Sequence, residues 1–180
     1  MYYKNNKYYI KNTSKHKDIK NSIELLENFC NENCIKMEIH GSLIRNDYYY
    51  GKSDCDVIII TKNIDNTSYQ LDNLIYHNPY IEYKKVKLVY YGLVKDKIEL
   101  YGLLYKVNIH ENKFDIVLIE EKDYINHKDI IIHKYHYLIY LIISIIKFLY
   151  YKIQIIPFSV YKKCKKFFFK QYMYTSDHNI

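Results

Sequence analysis

Hydrophobic and polar positions follow two different periods along the chain, and each period predicts one kind of element. Over residues 18–32, apolar side chains recur every three or four positions, which predicts an amphipathic helix packed against a core. Strict alternation over 35–40 and 54–61 predicts two β-strands. Residues 43–50, between these strands, are expected to form a short helix after a turn. The first third of the chain therefore predicts the order helix, strand, helix, strand.

The middle of the chain predicts one more helix and three more strands. Residues 68–76 predict a short helix that Pro79 ends, because proline cannot continue a helix. Three segments rich in β-branched and aromatic residues predict strands joined by hairpin loops: 86–91, 98–108 and 113–119. Residues 1–17 show no clear period and are expected to form an arm or a short edge element. This order predicts a mixed sheet of the α/β or α+β type rather than repeated crossover units, followed by a C-terminal helical tail.

The tail begins with a long apolar segment. Residues 133–156 are almost continuously apolar, with one narrow polar stripe, and this pattern predicts a mostly buried helix. The stripe consists of Ser144, Lys147, Tyr151 and Gln154. A membrane span over 137–156 is the alternative, because that segment reaches the required length of about 20 residues. Lys147 and Lys152 would make its insertion costly, so we expect the buried helix.

A basic aromatic segment follows Pro157. Five lysines flank Phe167–Phe169, and we expect a final helix that docks its phenylalanines and leaves its lysines in solvent. Direct contact with nucleic acid or with a membrane is the alternative. We therefore divide the chain into a core, 1–129, and a lysine-rich tail, 130–180, that packs on the core or extends it.

Composition and charge narrow the class of protein. With 180 residues, 49% of them apolar, the chain can bury one domain core. Its four cysteines show no paired zinc spacing and its N-terminus has no apolar signal-peptide core, so we expect a reduced, cytoplasmic protein. The net charge of +7 lies entirely in the tail, which holds eight lysines and one acid. A polyanionic partner such as RNA suits this tail, although AT-rich codon usage explains surface lysine equally well.

A Gly-Ser pair and two aspartates form the chemically informative stretch. Asp54 and Asp56 lie two positions apart in a predicted strand, so both carboxylates leave the same face, separated by roughly 6.6 Å along the chain. Such acids repel each other unless cations neutralise them, and their oxygen atoms suit Mg²⁺. Gly41 lets the backbone approach a phosphate, and Ser42 can hold anionic oxygen. Each motif also has an ordinary interpretation when it is taken alone: the Gly-Ser pair as a turn with a helix N-cap, and the two aspartates as solvated residues at a strand edge.

Together, in this order and spacing, these residues resemble the catalytic signature of the nucleotidyltransferase superfamily typified by DNA polymerase beta. That signature is a Gly-Ser turn followed by an Asp-x-Asp strand, and the resemblance covers roughly residues 18–125. It implies a third carboxylate on a later strand, and Asp115 occupies such a position between Phe114 and Ile116. An ion pair between Asp115 and Lys113 is the alternative.

The resemblance implies an α+β fold with a small mixed β-sheet backed by helices. It also implies a minimal nucleotidyltransferase that depends on Mg²⁺, with Mn²⁺ as an alternative metal. Asp54, Asp56 and Asp115 would hold the metals, and Asp115 could accept the proton of the nucleophile. Residues implied in binding the nucleoside triphosphate are Gly41, Ser42, Arg45, Lys52 and Ser53, with a surface role as the alternative for Arg45 and Lys52. A nucleoside monophosphate, expected to be AMP from ATP, would pass to an RNA, a protein or a small hydroxyl compound as pyrophosphate leaves.

Two features depart from the family pattern. The loop before Asp54 carries Asp47 and the tyrosines Tyr48–Tyr50, where compact bacterial members have small and basic residues. No second helical domain of the size found in poly(A) polymerases follows the core, so the acceptor must bind the tail, a partner or the core itself. The alternative function is a protein that keeps the fold without turnover and attaches to nucleic acid or an assembly through its tail.

Overall fold

A computed structural model describes residues 2–5, 8–11, 14–44, 48–91, 100–125, 137–169 and 173–176. The N-terminal elements are β1 (Tyr2–Asn5), β2 (Tyr8–Lys11), α1 (Ser14–Glu32), β3 (Lys36–His40), β4 (Cys55–Thr61) and α2 (Ile64–His77). Then come β5 (Ile81–Tyr91), β6 (Leu100–Ile109), β7 (Asn112–Glu120) and α3, which is described from 121 to 125. The C-terminal elements are α4 (Tyr137–Phe148), a π-helical turn (Leu149–Ile153), α5 (Phe158–Phe169) and β8 (Met173–Ser176).

A six-stranded mixed sheet lies at the centre of the fold, in the order β3-β4-β7-β6-β5-β8. β4 and β7 run parallel, and all other neighbouring strands in this sheet are antiparallel. β1 and β2 form a separate two-stranded hairpin in the segment expected to be an arm or a short edge element. The predicted α+β class, with a mixed sheet backed by helices, is confirmed.

Helices α1 and α2 cover one face of the sheet. The apolar stripe of α1 is completely buried at Ile19 and Ile23, and α2 buries Leu71 and Ile75 in the same core. Every second residue of β4, beginning with Cys55, packs into this core, as alternation along a strand requires. Each such large apolar side chain contributes about 1.5–3 kcal/mol by leaving water. This face is therefore closed, and functional side chains must lie on the other one.

Helix α2 is longer than the predicted 68–76. Its start is set by Asn63, whose side-chain oxygen accepts a hydrogen bond from the backbone N–H of Asn66 at 2.9 Å. Such an N-cap satisfies an N–H that has no partner within the helix, so the helix begins one turn earlier than its apolar period indicates. The end lies just before Pro79, as expected.

The C-terminal helices differ from the expectation of one mostly buried helix over 133–156. Helix α4 is short, and it contacts α5 and the π-helical turn. Its polar stripe faces inward at Lys147, which is 4% exposed, while the apolar Leu141 and Ile145 are 45% and 51% exposed. The main core is filled from its helical side by α1 and α2, and α4 instead buries a side that carries Ile143, which is 2% exposed, together with Lys147. Among the described helices, none has the length and apolarity needed to cross a membrane.

Helix α5 starts after Pro157 as predicted, but it does not dock all its phenylalanines. Phe158 and Phe167 are exposed and Tyr161 is buried, while Phe168 and Phe169 lie outside the side chains that the structure describes. The Tyr161 ring stacks on Tyr150 with centroids 4.5 Å apart and planes at 5°. Aromatic stacking between the π-helical turn and α5 therefore holds the two C-terminal helices together.

The tail also contributes to the sheet. β8 pairs antiparallel with β5, with Leu88 opposite Ser176 and Tyr91 opposite Met173. No sequence pattern predicted this strand. The part of the chain assigned to the tail thus extends the core by one edge strand.

Candidate active site

Four ionisable residues form a row across neighbouring strands on the open face of the sheet. His40 on β3 pairs with Asp56 on β4, Asp56 pairs with Asp115 on β7, and Asp115 pairs with Lys106 on β6. Directly paired residues point to the same face, so we call these four residues the ionisable row. Asp54, two positions before Asp56, shares that face. The sheet topology thus brings Asp56 and Asp115 side by side from positions far apart in the sequence.

The ionisable row marks the point where the open face changes from apolar to polar. The residues beyond it on the same face form a small second core, made of Ile58, Ile60, Leu104, Val117, Ile119 and Tyr124. Tyr124 also donates a hydrogen bond from its hydroxyl to Glu38 Oε2 at 2.6 Å, which ties α3 to β3. The strands are fixed by packing on both faces, so the row has a rigid base.

Gly41 lies against the carboxylate of Asp56. Its φ of +70° falls in the left-handed region that favours glycine. A methyl group added at Gly41 would overlap Asp56 Oδ2 and lie 2.9 Å from Asp56 Cγ. The turn after β3 therefore requires glycine for its backbone angle and for the space that Asp56 occupies.

Ser42 connects the same turn to the start of β4. The residue is 3% exposed, and its hydroxyl donates a hydrogen bond to the backbone carbonyl of Asp54 at 3.4 Å. Residues 41–44 form a turn rather than the start of the short helix expected over 43–50, and 48–50 are also non-helical. The turn is held against β4 by these contacts to Asp54 and Asp56, which a helix starting there would have to replace.

Lys106 holds both oxygen atoms of the Asp115 carboxylate. Its Nζ donates to Oδ1 at 2.8 Å and to Oδ2 at 2.7 Å, and both side chains are half-buried. The expected alternative for Asp115 was an ion pair with Lys113, and the structure gives Asp115 a different lysine. An internal cation thus already contacts the carboxylate for which the family resemblance implies a metal.

The carboxyl group of Asp54 is electrostatically perturbed. Burial around its carboxyl group, followed by the nearby Asp115 carboxylate, raises the pKa of Asp54 above its usual value. Lys106, Lys165 and Lys113 act in the opposite direction on this pKa without outweighing the first two causes. Asp54 and Asp115 therefore sense each other's charge, and Lys165 brings a positive charge from α5 towards the site.

The three acids fit a hard cation by their chemistry, since each offers carboxylate oxygen. Within the described ranges, however, no three His, Cys, Asp or Glu side chains are grouped as a ready metal site. Asp56 and Asp115 are register partners and Asp54 is on their face, but Lys106 takes up both oxygens of Asp115. Convergence of all three acids on a metal stays a prediction.

The remaining residues implied in nucleotide binding contact other parts of the protein. Ser53 is buried, and its hydroxyl accepts a hydrogen bond from the backbone N–H of Tyr49 at 3.1 Å. Lys52 donates from Nζ to the backbone carbonyl of Tyr151 at 2.8 Å, and the rings of Tyr49 and Tyr151 are 5.2 Å apart. These contacts attach the π-helical turn to the loop before Asp54. Arg45 lies outside the described residues.

Cys55 lies between the two aspartates but on the other face. Its thiol is fully buried in the main core, and burial raises its pKa to about 12. A thiol with so high a pKa is protonated at neutral pH and is a poor nucleophile. The ionisable groups of the site are therefore those of the open face.

Sequence reasoning missed His40 and Lys106 as members of the site. His40 continues the alternation of β3, in which Met37 and Ile39 enter the core and the residues between them face the other way. Lys106 alternates in the same manner with Tyr105 and Val107 on β6. This alternation was visible in the sequence, but the register that places both residues beside the aspartates was not.

Comparison with known proteins finds a similar chain among the solved structures. No protein-family model matches the sequence, and no curated protein matches it. Among solved structures, the fold is similar to a chain of the GLD-2/RNP-8 complex, with 13% sequence identity and a TM-score of 0.41. The match covers 82% of this chain and 52% of that chain, so the protein spans about half the length of its structural neighbour.

Proposed function

We propose that the protein is a nucleotidyltransferase that transfers a nucleoside monophosphate, with ATP as the expected donor, to a hydroxyl acceptor and releases pyrophosphate. One observation carries the proposal. The Gly41 turn closes against Asp56, Ser42 binds the backbone of Asp54, and Asp115 is the register partner of Asp56. The residues of the sequence signature are thus neighbours in the fold, on one face and beside one turn.

Asp54, Asp56 and Asp115 are the residues that would hold Mg²⁺, or Mn²⁺ as the alternative. The raised pKa of Asp54 supports this role, because burial and the nearby Asp115 carboxylate make its ionisation unfavourable until a cation is close. When bound, divalent cations would neutralise the triphosphate and stabilise the charge that develops at its α-phosphorus.

The protein's own groups have defined parts in the transfer. Lys106 must leave Asp115 before this carboxylate can act, and a lysine released at this place can neutralise a phosphate oxygen. Asp115 then accepts the proton of the attacking hydroxyl. The acceptor oxygen bonds to the α-phosphorus as the bond from that phosphorus to the bridging oxygen breaks, and pyrophosphate carries the charge away.

A second candidate is a protein with the same fold and no turnover. The ion pair between Lys106 and Asp115 favours it, because a lysine held by both carboxylate oxygens can replace a metal as the structural cation. In that case the lysine-rich tail would attach the protein to RNA or to a larger assembly. The cytoplasmic location predicted from the sequence suits both candidates and remains a prediction.

Pyrophosphate release separates the two candidates. The protein is incubated with Mg²⁺, a short RNA and each of the four ribonucleoside triphosphates, and the assay is repeated with Asp56→Asn. We expect release with the wild type and a loss of about two orders of magnitude or more in the variant. Asp65→Asn, which changes an exposed acid on α2, is the matched control and should retain the wild-type rate. Absence of release with all four nucleotides would contradict the enzymatic proposal.

A further inference from the structure

The turn between α4 and α5 presents a cluster of exposed apolar side chains. Eight of the fourteen large apolar side chains that are exposed in the described parts of the chain lie between 141 and 167, so the exposure is concentrated there. Four of them surround the turn, and we call them the hairpin apex: Ile153, Ile155, Phe158 and Val160. Ile155 and Phe158 are 65% and 60% exposed. Large exposed apolar patches on soluble proteins mark interaction sites.

The chain around the hairpin apex is built as a firm base. The π-helical turn ends at Gln154, whose φ of 61° reverses the chain, and the N–H of Ile155 donates to the carbonyl of Leu149 at 3.3 Å. Stacking of Tyr150 on Tyr161 fixes the two helices below the turn. The apex side chains are therefore held outward by the fold.

Positive charge flanks the hairpin apex, and the segment that forms it contributes no acid. Residues 137–169 contain six lysines and no aspartate or glutamate. Lys152 lies just before the apex residue Ile153, Lys162 and Lys163 lie just after the apex residue Val160, and all three lysines are exposed. Exposed apolar side chains flanked by lysines are the pattern of segments that lie in the interface of anionic membranes.

We propose that the hairpin apex docks on the surface of an anionic lipid bilayer. The apolar side chains would enter the headgroup region, and the three flanking lysines would bind lipid phosphates and carboxylates. Each lysine near such a surface is worth roughly a fivefold increase in binding. The apex side chains are not those of the ionisable row, although the adjoining π-helical turn contacts the loop before Asp54 through the hydrogen bond from Lys52 to Tyr151.

Two other occupants fit less well. A second copy of the chain would bring lysines against lysines, since α4, the turn and α5 offer no acid to pair with them. Single-stranded RNA binds by stacking of bases on aromatic rings, yet three of the four apex side chains are aliphatic. Aliphatic side chains and lysines together suit acyl chains and anionic headgroups.

The test is sedimentation of the full chain with lipid vesicles. One set of vesicles is pure phosphatidylcholine, and in the other about a third of the lipid is phosphatidylserine. The apex variant combines Ile155→Asp with Phe158→Asp, and the matched control combines Tyr69→Asp with Tyr76→Asp on α2. Both pairs are exposed and both variants add the same charge. Thermal melting of all three proteins checks that the substitutions leave the fold intact.

We expect the wild type and the control to sediment with phosphatidylserine vesicles and to remain in solution with phosphatidylcholine. The apex variant should lose binding by at least roughly a hundredfold, because two large apolar side chains no longer leave water. Equal binding by the apex variant, or no binding by the wild type, would overturn the proposal. So would a dimer that the apex variant turns into a monomer, or an RNA complex that requires Ile155 and Phe158.

Discussion

Replacing Lys106 by methionine removes the cation that Asp115 holds while it keeps most of the side-chain volume. Lys106 donates two hydrogen bonds to Asp115, at 2.8 and 2.7 Å, and the two side chains are 37% and 26% exposed. Fully exposed pairs contribute at most about 1 kcal/mol, and hydrogen bonds to charged groups in drier sites about 1.5–3 kcal/mol. We therefore expect Lys106→Met to lower the free energy of unfolding by about 1–2 kcal/mol.

The same change should strengthen the binding of Mg²⁺. If a metal must displace Lys106 from Asp115, the wild type spends about 1–2 kcal/mol of the metal-binding free energy on breaking this ion pair. Without Lys106, the dissociation constant for Mg²⁺ should therefore fall by a factor of about 5–30. For a chain of this length, the melting temperature without metal should fall by about 2–8 °C. Mg²⁺ should then restore it, because a ligand that binds only the folded state raises stability with its concentration.

The assay is thermal melting at increasing Mg²⁺, with titration calorimetry for the dissociation constant. Lys36→Met is the matched control, since it removes another lysine–carboxylate ion pair of the sheet, between Lys36 on β3 and Glu121 on α3 at 3.2 Å. This control should change the free energy of unfolding by no more than about 1 kcal/mol, and it should leave the response to Mg²⁺ unchanged. If Mg²⁺ stabilises Lys106→Met no more than the wild type, Lys106 does not occupy the place of a metal and this reasoning is wrong.

Two further predictions concern the turn and the acids beside it. Gly41→Ala should destabilise the fold by about 2–4 kcal/mol in chemical denaturation, because it adds a clash with Asp56 to the backbone cost of about 1–2 kcal/mol. Gly51→Ala has a similar φ of +66° but meets nothing within 4 Å, so it should show only the backbone cost, and equal losses would refute the role of Asp56. Asp54→Asn should stabilise the fold by up to about 1 kcal/mol at pH 7 and so raise the melting temperature there, but it should not do so at pH 3. The pKa of Asp54 is raised in the folded state, so its ionisation destabilises the fold only when the pH rises through and above the usual pKa of an aspartate. A lower melting temperature for Asp54→Asn at pH 7 would contradict this sign.

The elements that the sequence predicted well are those with a regular period against one surface. Helix α1 and strand β4 each bury one repeating set of side chains in the main core, beginning with Ile19 and Cys55. A regular period determines both the type of element and the face that it buries. The predicted face of Asp54 and Asp56 follows from the same alternation.

The features that the sequence did not predict depend on pairing between distant segments. Lys113 is two residues from Asp115 along the strand, roughly 7 Å away, whereas directly opposite partners such as Lys106 have Cβ atoms about 5 Å apart. The register of β6 against β7 therefore determines that Asp115 pairs with Lys106 and not with Lys113. β8 has only four residues and no alternating pattern, so its place beside β5 follows from the sheet edge that it meets.

The apolar pattern of α4 also did not predict which side of this helix is buried. Hydropathy indicated that Leu141 and Ile145 would be buried and Lys147 exposed, and the structure has the reverse. A helix buries the side that meets a partner, and the partner of α4 is α5 together with the π-helical turn. The composition of a helix does not reveal which partner it will meet.

A crystal structure with Mn²⁺ and a non-hydrolysable ATP analogue tests the central claim most directly, because the anomalous signal of manganese locates the ion. The account predicts a manganese peak bound by the carboxylates of Asp54 and Asp56, the triphosphate against the Gly41 turn, and Lys106 displaced from Asp115. Bound nucleotide with no manganese at these acids, and with Lys106 still on both oxygens of Asp115, would contradict it.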